Sequence, residues 1–598
     1  MTASENAAQA ARMWDCGKVS GTVTAELRGG TLTIRGAGRM KDYSASAYNA
    51  PWYGSRSSIT NVVIEHGVIS IAAETFWGCT GLKSVTIPYS VHEIGTGAFL
   101  GCTGLTSINV AVENIYYSSV DGVLFYTRDG VYSLVQFPAG KRSASYAIPD
   151  GVTAIERGAF FGCTGLASVV IPNSVASING AFVGCGSLTS IEVASGNVNF
   201  RSEDGVLFYT GDADEYILLT YPGNRRGAYA IPSGVTRLRE KAFLDCLGLT
   251  AVTIPNSVMF IENYAFSGCA ALTSVAIPGG VLSIEDWVFS GCAGLTSIDV
   301  APDNAGFRSI DGVLFRVVYD KEELMAFPAG RQGAYTVPNG VTSIGCMTFF
   351  NCAGLTSVTI PDSVTYIGGW AFMECYGLTS VTVGAGVMSI GRGAFMHCHD
   401  LTSVISLSVV PPVIEENKYG IFDVFDIESA VCLYVPKNCV GIYKYTEGWK
   451  EFGSIKSADT YVPAASNDHA VSRDRPPEDA AEAALASALS GGGFSVGQNA
   501  VGKPAGAVSF FRHGSRIESA KLYIYDVSGE VVRKIKIGDH NGDADSPGAS
   551  AKPGRSVGSW DLRDVKGRPV SGGTYLVKGE LKMSGGKRER VSVVVDVR

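Results

Sequence analysis

The sequence predicts a mostly β fold, in which a solenoid of stacked coils is followed by a smaller β domain. A unit of the form Phe-x-x-Cys-x-x-Leu recurs ten times along the chain. Neighbouring copies lie 22 or 23 residues apart, except at three places where the spacing lengthens to 60 or 61. Glycine is abundant at 73 residues and charged residues make up only 17%, which suits short strands joined by tight turns.

One copy of the unit predicts one coil. Residues 355–361 alternate apolar and polar side chains, as a half-buried strand does, and end in a proline that cannot donate to a ladder. A second short extended step and a return segment to Cys375 follow. No coil buries its own apolar face, so many copies must stack. The ten copies are Phe76/Cys79/Leu82, Phe99/Cys102/Leu105, Phe160/Cys163/Leu166, Phe182/Cys185/Leu188, Phe243/Cys246/Leu249, Phe266/Cys269/Leu272, Phe289/Cys292/Leu295, Phe349/Cys352/Leu355, Phe372/Cys375/Leu378 and Phe395/Cys398/Leu401.

Each long gap contains the motif Asp-Gly-Val-Leu-Phe, followed by an aromatic residue and a proline. Two apolar runs joined by the polar segments 127–130 and 211–214 predict β-hairpins grafted onto the coil. A tyrosine then restarts the coil. The three copies are Asp121–Phe125 with Phe137 and Tyr146, Asp204–Phe208 with Tyr221 and Tyr229, and Asp311–Phe315 with Phe327 and Tyr335.

These residues carry a family resemblance. The repeated pattern GCTGLTSVTIPxSVxxIGxxAF, together with the Asp-Gly-Val-Leu-Phe hairpins, resembles the BspA-like leucine-rich repeats of bacterial surface proteins. The resemblance covers about residues 14–457 and implies a curved leucine-rich-repeat solenoid, a surface location and a role in adhesion or protein binding. The segments that resemble the family's two caps are Trp14–Gly17, Gly30–Ile34 and Ala50–Tyr53 at the N-terminal end, and Leu433–Pro436, Tyr443 and Gly448–Phe452 at the C-terminal end.

After Ser457 the composition shifts towards Ala, Ser, Gly, Pro and Asp, as in linkers. Within this segment, residues 477–489 fit the capping rules for a short helix. Short strands with regular turns return from residue 508 and predict a β-sandwich. This region resembles the C-terminal immunoglobulin-like domains of exported Gram-negative proteins, some of which act as secretion-sorting signals and others of which relate to the flagellar hook-cap domain. Residues 587–590 depart from the sorting pattern.

The predicted organisation therefore has six parts. They are a disordered N-terminus (1–13), an N-terminal cap (14–62), a leucine-rich-repeat solenoid with three hairpin insertions (63–404), a C-terminal cap (405–457), a linker (458–507) and an immunoglobulin-like β-sandwich (508–598).

Charge and hydropathy constrain the partners and the location. The formal net charge is −8 without a long Lys/Arg run, so a nucleic-acid partner has no electrostatic support. No apolar run approaches the length of a membrane-spanning helix. Residues 1–13 lack the apolar core of a signal peptide. The alternatives are a cytoplasmic location and an export signal upstream, and we favour the second because the resemblances belong to exported proteins.

The cysteines of the repeat predict a structural ladder. Ten of the fourteen share one repeat position, so their thiols should line the interior and bond backbone carbonyls of successive coils. A disulfide between Cys432 and Cys439 is an open alternative for that pair. The absence of any Cys-x-x-Cys leaves zinc without a ligand set.

Two other clusters resemble metal sites, and for both we favour a structural interpretation. Residues 397–400 read His-Cys-His-Asp, but adjacent side chains point in different directions and Cys398 belongs to the ladder. Asp539, Asn541, Asp543 and Asp545 match the first positions of a calcium loop, which lacks its Gly and its final acid, so a solvated loop is expected. The sequence contains no recognised catalytic motif, and we expect no enzyme activity, cofactor or metal.

Two surfaces remain as ligand candidates. The outward strand positions, such as Ser84/Thr86 and Ser357/Thr359, are small and nearly uncharged, and they lack the Trp, Tyr and Arg typical of binding hot spots. The hairpins carry such residues, although their side chains could equally pack onto the solenoid. The predicted function is a non-catalytic surface or secreted protein that binds a protein or glycan, with possible contact to export machinery through the C-terminal domain; a structural spacer without a ligand is the alternative. The candidate ligand-binding residues are Tyr117, Tyr126, Arg201, Tyr209, Arg225, Arg226, Arg308 and Tyr319.

Overall fold

The computed structural model describes residues 11–43, 50–128, 130–211, 215–319, 321–415 and 431–461, together with seven strands between 494 and 597. The chain divides into two units. Unit 1 comprises Met1–Asp320 and Leu324–Arg331, and unit 2 comprises Lys321–Glu323 and Gln332–Arg598. The mostly β solenoid that the repeat predicts is confirmed.

In its described residues, unit 1 contains short strands and the 3-10 helix Tyr53–Ser58. Its strands are β1 (Arg12–Asp15), β2 (Val23–Arg28), β3 (Thr31–Gly36), β4 (Gly38–Arg39), β5 (Asn61–Ile64), β6 (Val68–Ile71), β7 (Ser84–Ile87), β8 (Glu93–Ile94), β9 (Ser107–Val110), β10 (Tyr117–Val120), β11 (Val123–Arg128), β12 (Val131–Gln136), β13 (Ser145–Ala147), β14 (Ala154–Ile155), β15 (Ser168–Ile171), β16 (Ser177–Ile178), β17 (Ser190–Val193), β18 (Phe200–Glu203), β19 (Val206–Tyr209), β20 (Ile217–Thr220), β21 (Gly227–Ala230), β22 (Arg237–Leu238), β23 (Leu249–Thr253), β24 (Phe260–Ile261), β25 (Ser274–Ile277), β26 (Ser283–Ile284), β27 (Ser297–Val300), β28 (Phe307–Ile310) and β29 (Val313–Val318).

Each coil contributes one strand to each of two parallel sheets. The first sheet contains strands of mostly four residues, in the rows β5-β7-β9, β13-β15-β17 and β21-β23-β25-β27. The second sheet contains mainly two-residue strands, in the rows β4-β6-β8, β14-β16 and β22-β24-β26. In β25 exposed and buried residues alternate, which confirms the predicted half-buried strand.

Aromatic rings stack through the core of unit 1. The rings of Phe243 and Phe266 lie 4.8 Å apart between centroids, and those of Phe266 and Phe289 lie 5.8 Å apart. Where an insertion interrupts the repeat, its aromatic–proline pair supplies the ring: Phe137 stacks on Phe160 at 5.4 Å. The insertion therefore supplies the ring on which the next coil stacks, in a coil that has no cysteine.

The insertions are residues 112–142, 195–226 and 302–331. In the first, β10, β11 and β12 form an antiparallel meander, and β12 then pairs in parallel with β14 of the next coil. The second repeats this arrangement with β18, β19, β20 and β22. The hairpin prediction is therefore incomplete, because the last strand of the insertion is itself the second-sheet strand of a coil.

The Asp-Gly of each motif forms the first turn of the insertion, which the sequence analysis did not assign. Asp121 and Gly122 have φ angles of 52° and 76° and separate directly paired strands, as a type I′ turn requires. The carbonyl of Gly122 accepts a hydrogen bond from Ile108 N at 2.8 Å, so the turn covers the open edge of β9. A Cβ at position 122 would lie 2.9 Å from Ser107 Cβ.

Unit 2 repeats the coil architecture and ends in a closing cap. The Tyr443 hydroxyl and Ser406 Oγ are hydrogen-bonded at 2.7 Å, and Trp449 Nε1 donates to Pro412 O at 2.8 Å. Its described helical segments are α1 (Val440–Tyr445) and the 3-10 turns Lys437–Cys439 and Ala458–Thr460. The strands are β31 (Gly333–Thr336), β32 (Val341–Ile344), β33 (Leu355–Ile360), β34 (Tyr366–Ile367), β35 (Ser380–Val383), β36 (Ser389–Ile390), β37 (Ser403–Ser406), β38 (Val413–Ile414), β39 (Cys432–Val435), β40 (Ser454–Ser457), β41 (Phe494–Gln498), β42 (Val508–Arg512), β43 (Ile517–Tyr525), β44 (Val531–Ile537), β45 (Ser556–Trp560), β46 (Gly573–Met583) and β47 (Arg588–Val597), while β30 (Lys321–Ala326) crosses the boundary between the units.

The last seven strands form two antiparallel sheets, β41-β42-β45 and β44-β43-β46-β47. The immunoglobulin-like sandwich remains a prediction for this region. The predicted helix at 477–489 and the acidic loop from Asp539 to Asp545 lie outside the described residues. In the described ranges, no helix has the length and apolar character needed to cross a membrane.

Candidate ligand-binding surface

The repeat cysteines form the predicted ladder. Cys269 Sγ donates to the carbonyl of Phe243 at 3.1 Å, and Cys292 Sγ donates to that of Phe266 at 3.1 Å, one coil further on. Burial raises the pKa of Cys185 to about 12, so the thiol stays protonated at neutral pH. The ladder is a structural element, since the thiolate is the form that reacts and binds metal.

Among the described residues, the other candidate metal or disulfide groups do not assemble. Cys432 and Cys439 are both free, with Cys432 donating towards Ser454 Oγ at 3.6 Å. His397 and His399 lie 5.8 Å apart between ring centroids, and the ring of His399 stacks near that of Tyr376. Within the described ranges, no three His, Cys, Asp or Glu side chains are placed to hold a metal ion.

An asparagine anchors the start of each insertion. Asn197 Nδ2 donates to the carbonyls of Pro172 and Val175, both at 2.9 Å, and its Oδ1 accepts from the N–H groups of Asn199 and Phe200. Asn114 and Asn304 make the same four bonds in the other two insertions. The signal in the sequence is an Asn seven residues before each Asp-Gly, which the sequence analysis missed.

A cation clamps each Asp-Gly turn. Lys141 Nζ contacts the Asp121 carboxylate at 2.6 Å, the Arg225 guanidinium contacts both the carboxylate and the carbonyl of Asp204, and Arg331 Nη1 donates to Asp311 O at 2.5 Å. Each cation lies three residues after the proline of the aromatic–proline pair. Arg225 is therefore a structural residue in this arrangement.

The predicted ligand-binding residues differ widely in exposure. Tyr117 is buried at 6% exposure, and its hydroxyl accepts a hydrogen bond from Ile94 N at 2.8 Å. Tyr126 and Tyr209 are half-buried, and the ring of Tyr126 meets that of Tyr117 at 5.5 Å. These tyrosines pack against the core, as the alternative interpretation of the hairpins anticipated.

The remaining residues face solvent. Arg201 pairs with Glu203 at 2.7 Å, and its guanidinium carbon lies 4.1 Å from the ring centroid of Tyr216. Arg226 and Arg308 are exposed. Tyr319 is 95% exposed and has a φ of 48°, a conformation that is uncommon for a bulky residue. The exposed candidates thus occupy the second and third insertions.

A cavity of about 490 Å³ lies in unit 1 beside the third insertion. Its walls come from β26 with the following residues Glu285 and Asp286, and from Gly306, Phe307 and the end of β29. Arg316 Nη2 donates to Ile284 O at 3.0 Å across this space. The volume is within the range of small-molecule sites, about 300–1,000 Å³. Sequence reasoning had no signal for this cavity, because it forms between segments that are distant in the repeat pattern.

Comparison with known proteins places this architecture in a family. A model described as BspA type leucine-rich repeat region matches residues 50–126, 139–207, 228–317 and 326–442, more than half of the chain. The chain therefore belongs to this family of leucine-rich-repeat proteins. No curated protein matches it.

Several solved structures resemble the chain. A leucine-rich repeat protein from Eubacterium ventriosum is 26% identical, with 66% of this chain and 90% of that chain covered and a TM-score of 0.38. A leucine-rich cell surface protein from Faecalibacterium prausnitzii is 24% identical, with 74% and 94% covered and a TM-score of 0.37. A leucine-rich repeat protein from Bacteroides ovatus is 22% identical, with 73% and 99% covered and a TM-score of 0.31.

Proposed function

We propose that this protein is a non-catalytic binding or adhesion protein, displayed at the bacterial surface or secreted, which presents its repeat surface to a protein or glycan. The observation that carries the proposal is the position of Arg226, Arg308 and Tyr319. These side chains are exposed on insertions whose backbones are held by the asparagine anchors and cation clamps. Rigid scaffolds with exposed Tyr and Arg are typical of binding surfaces.

The family supports the location. BspA-type repeats cover more than half of the chain, and the similar protein from Faecalibacterium prausnitzii is described as a cell surface protein. The C-terminal strands are proposed to assist export or anchoring. The exposed acidic residues and the formal net charge of −8 disfavour nucleic acid as the partner.

A structural spacer is the second candidate. The outward faces of β7, β25 and β33 carry Ser, Thr and Ala and present no aromatic side chain. Such a face favours solubility over recognition.

The test uses the full chain, produced with an export signal in a Gram-negative host. Intact cells are treated with protease and the repeat region is detected by antibody, and the purified chain is then applied to arrays of extracellular proteins and glycans. The proposal predicts cleavage on intact cells and saturable binding to at least one array component. Cleavage without any saturable binding would favour the spacer, and protection from protease in cells that make the folded chain would contradict surface display.

A further inference from the structure

The three insertions differ at three equivalent positions, and the differences meet at the cavity. The first position lies two residues after the anchoring asparagine, and the second lies three residues after it. The third position is paired with the second across the hairpin. The three sets are Tyr116, Asn199 and Gly306; Tyr117, Phe200 and Phe307; and Tyr126, Tyr209 and Arg316.

In the first insertion these positions are filled by three tyrosines. The ring of Tyr116 lies 5.4 Å from that of His92 in the preceding coil, and the rings of Tyr117 and Tyr126 meet edge to face. The Tyr117 hydroxyl accepts the N–H of Ile94. The hydroxyl therefore provides a hydrogen-bond acceptor for a backbone N–H at the edge of β8, where the insertion interrupts the second sheet.

In the third insertion all three side chains are replaced, and their replacements line the cavity. Leu282 occupies the position that corresponds to His92. Its side chain is 66% exposed, because Gly306 has no side chain to cover it. Phe307 has the ring of Tyr117 without its hydroxyl. Arg316 stands where the other two insertions have a tyrosine.

The backbone edge of β26 faces this cavity. The N–H groups of Ser283 and Glu285 bond the preceding coil at Met259 O and Ile261 O, so the polar groups of Ile284 between them point the other way. The bond from Arg316 to Ile284 O confirms that direction. In the first insertion the Tyr117 hydroxyl accepts the N–H of Ile94. Phe307 has no hydroxyl with which to accept the N–H of Ile284 in the same way.

We infer that the cavity binds a neutral saccharide of one or two sugar rings. A sugar hydroxyl accepts the Ile284 N–H in place of a tyrosine hydroxyl, and further hydroxyls bond the side chains of Asn263, Asp286 and Arg316. The exposed apolar surface of Leu282 and Val318 receives a C–H face of the sugar. The carboxylates of Glu285 and Asp286 outnumber the one guanidinium and disfavour anionic sugars. This inference rests on the proposed binding function.

Two substitutions test it by making the third insertion resemble the first. Gly306→Tyr restores the ring of Tyr116; a Cβ there meets no atom closer than 4.0 Å and the backbone φ lies outside the left-handed region, so the backbone accepts it. Phe307→Tyr supplies the missing hydroxyl to Ile284. Both changes occupy the cavity while leaving the core ring of Phe307 in place. Tyr117→Phe in the first insertion is the matched control, because it alters an equivalent hydroxyl away from the cavity.

The experiment measures binding of full-length protein to maltose, cellobiose, lactose and N,N′-diacetylchitobiose by saturation-transfer NMR and titration calorimetry, with an acidic disaccharide from chondroitin for comparison. We expect binding of at least one neutral disaccharide, weak or no binding of the acidic one, and a loss of about tenfold or more in affinity for Gly306→Tyr and for Phe307→Tyr. Tyr117→Phe should bind as the unmodified chain does. Thermal unfolding of each variant establishes that it is folded.

The outcomes separate the inference from the proposed function. If the chain binds an array protein saturably but none of the neutral disaccharides, the saccharide site is wrong and the binding function stands. If a disaccharide binds equally well to both cavity-filling variants, the sugar lies elsewhere and the inference is also wrong. Failure of the chain to bind any array component or disaccharide would overturn both.

Discussion

In the coil that begins at Phe266, the ring stacks between those of Phe243 and Phe289, and the thiol of Cys269 bonds a carbonyl of the preceding coil. In the second insertion the contacts are of another kind. Asn197 makes four hydrogen bonds to backbone, and Arg225 clamps Asp204. The coils are thus held by recurring apolar groups and, wherever the repeat cysteine is present, by its thiol, whereas the insertions are held by a few polar residues. This difference indicates that side chains on the insertions can vary without affecting the stack, except for a stacking ring such as that of Phe137.

The largest expected effect is on the coils at alkaline pH. Burial raises the pKa of Cys79 and of Cys185 to about 12 from an ordinary value of 9.0, and it also raises the pKa of Cys102 and Cys163 well above that ordinary value. Unfolded thiols therefore release protons before folded ones do, so the stability that is present below pH 9 falls as the pH rises towards 12. We expect the urea midpoint to drop steeply between pH 8.5 and pH 11.

The control for this prediction is Cys185→Ala. Removing one ladder thiol should make the fall in the free energy of unfolding with pH less steep by the contribution of one proton. A urea midpoint that does not change up to pH 11 would show that burial of the thiols does not govern the stability of the coils.

The next effect is the loss of one ring from the stack. Phe266→Ala removes a fully buried side chain between two other rings, and it should lower the free energy of unfolding by about 3–5 kcal/mol. Urea unfolding followed by circular dichroism measures the change, with the exposed Thr253→Ala as the control. Equal midpoints for the two variants would contradict the assignment of the core.

A smaller effect is expected for the anchor of the second insertion. Asn197→Ala leaves the carbonyls of Pro172 and Val175 and the N–H groups of Asn199 and Phe200 without their partner. We expect a loss of about 1–3 kcal/mol, together with faster amide hydrogen exchange in β18 and β19. Ser195→Ala, in the same loop, should leave both unchanged. Faster exchange spread evenly over the coils would argue against a local anchor.

The smallest effect is expected for the clamp. Arg225→Met removes an ion pair in which the Asp204 side chain is 78% exposed, so solvent screening limits the loss to about 1 kcal/mol or less. A double-mutant cycle with Asp204→Asn isolates the interaction. A coupling energy of zero would show that the contact between Arg225 and Asp204 does not stabilise the insertion.

The sequence predicts the coils well because their contacts repeat. The ring stack, the thiol ladder and the alternation in strands such as β25 all follow from residues at a fixed spacing. The insertions were predicted only in outline, because the pairing of β12 with β14 joins segments about twenty residues apart with no local signal. The Asp-Gly turn was recognisable from its composition, whereas the roles of Asn197 and Arg225 depend on contacts with other coils.

The candidate site shows the same limit. Sequence reasoning selected Tyr and Arg residues by type, and the structure separates the buried Tyr117 and the clamping Arg225 from the exposed Arg226, Arg308 and Tyr319. The cavity was not predicted, because its opening depends on what is missing at Gly306 and Phe307. A ligand-binding role for the exposed residues remains a prediction.

The measurement that tests the central claim most directly compares two sets of substitutions in the full chain. In the first set, Arg226, Arg308 and Tyr319 on the insertions are replaced by Ala. In the second set, the exposed Thr86, Thr253 and Thr359 on the strand face are replaced by Ala. Affinity for the same array component is measured by surface plasmon resonance after thermal unfolding shows both variants to be folded. The account predicts a loss of about tenfold or more for the insertion set and no change for the strand-face set. The reverse result would contradict the claim that the coils support the fold and the insertions bind the ligand.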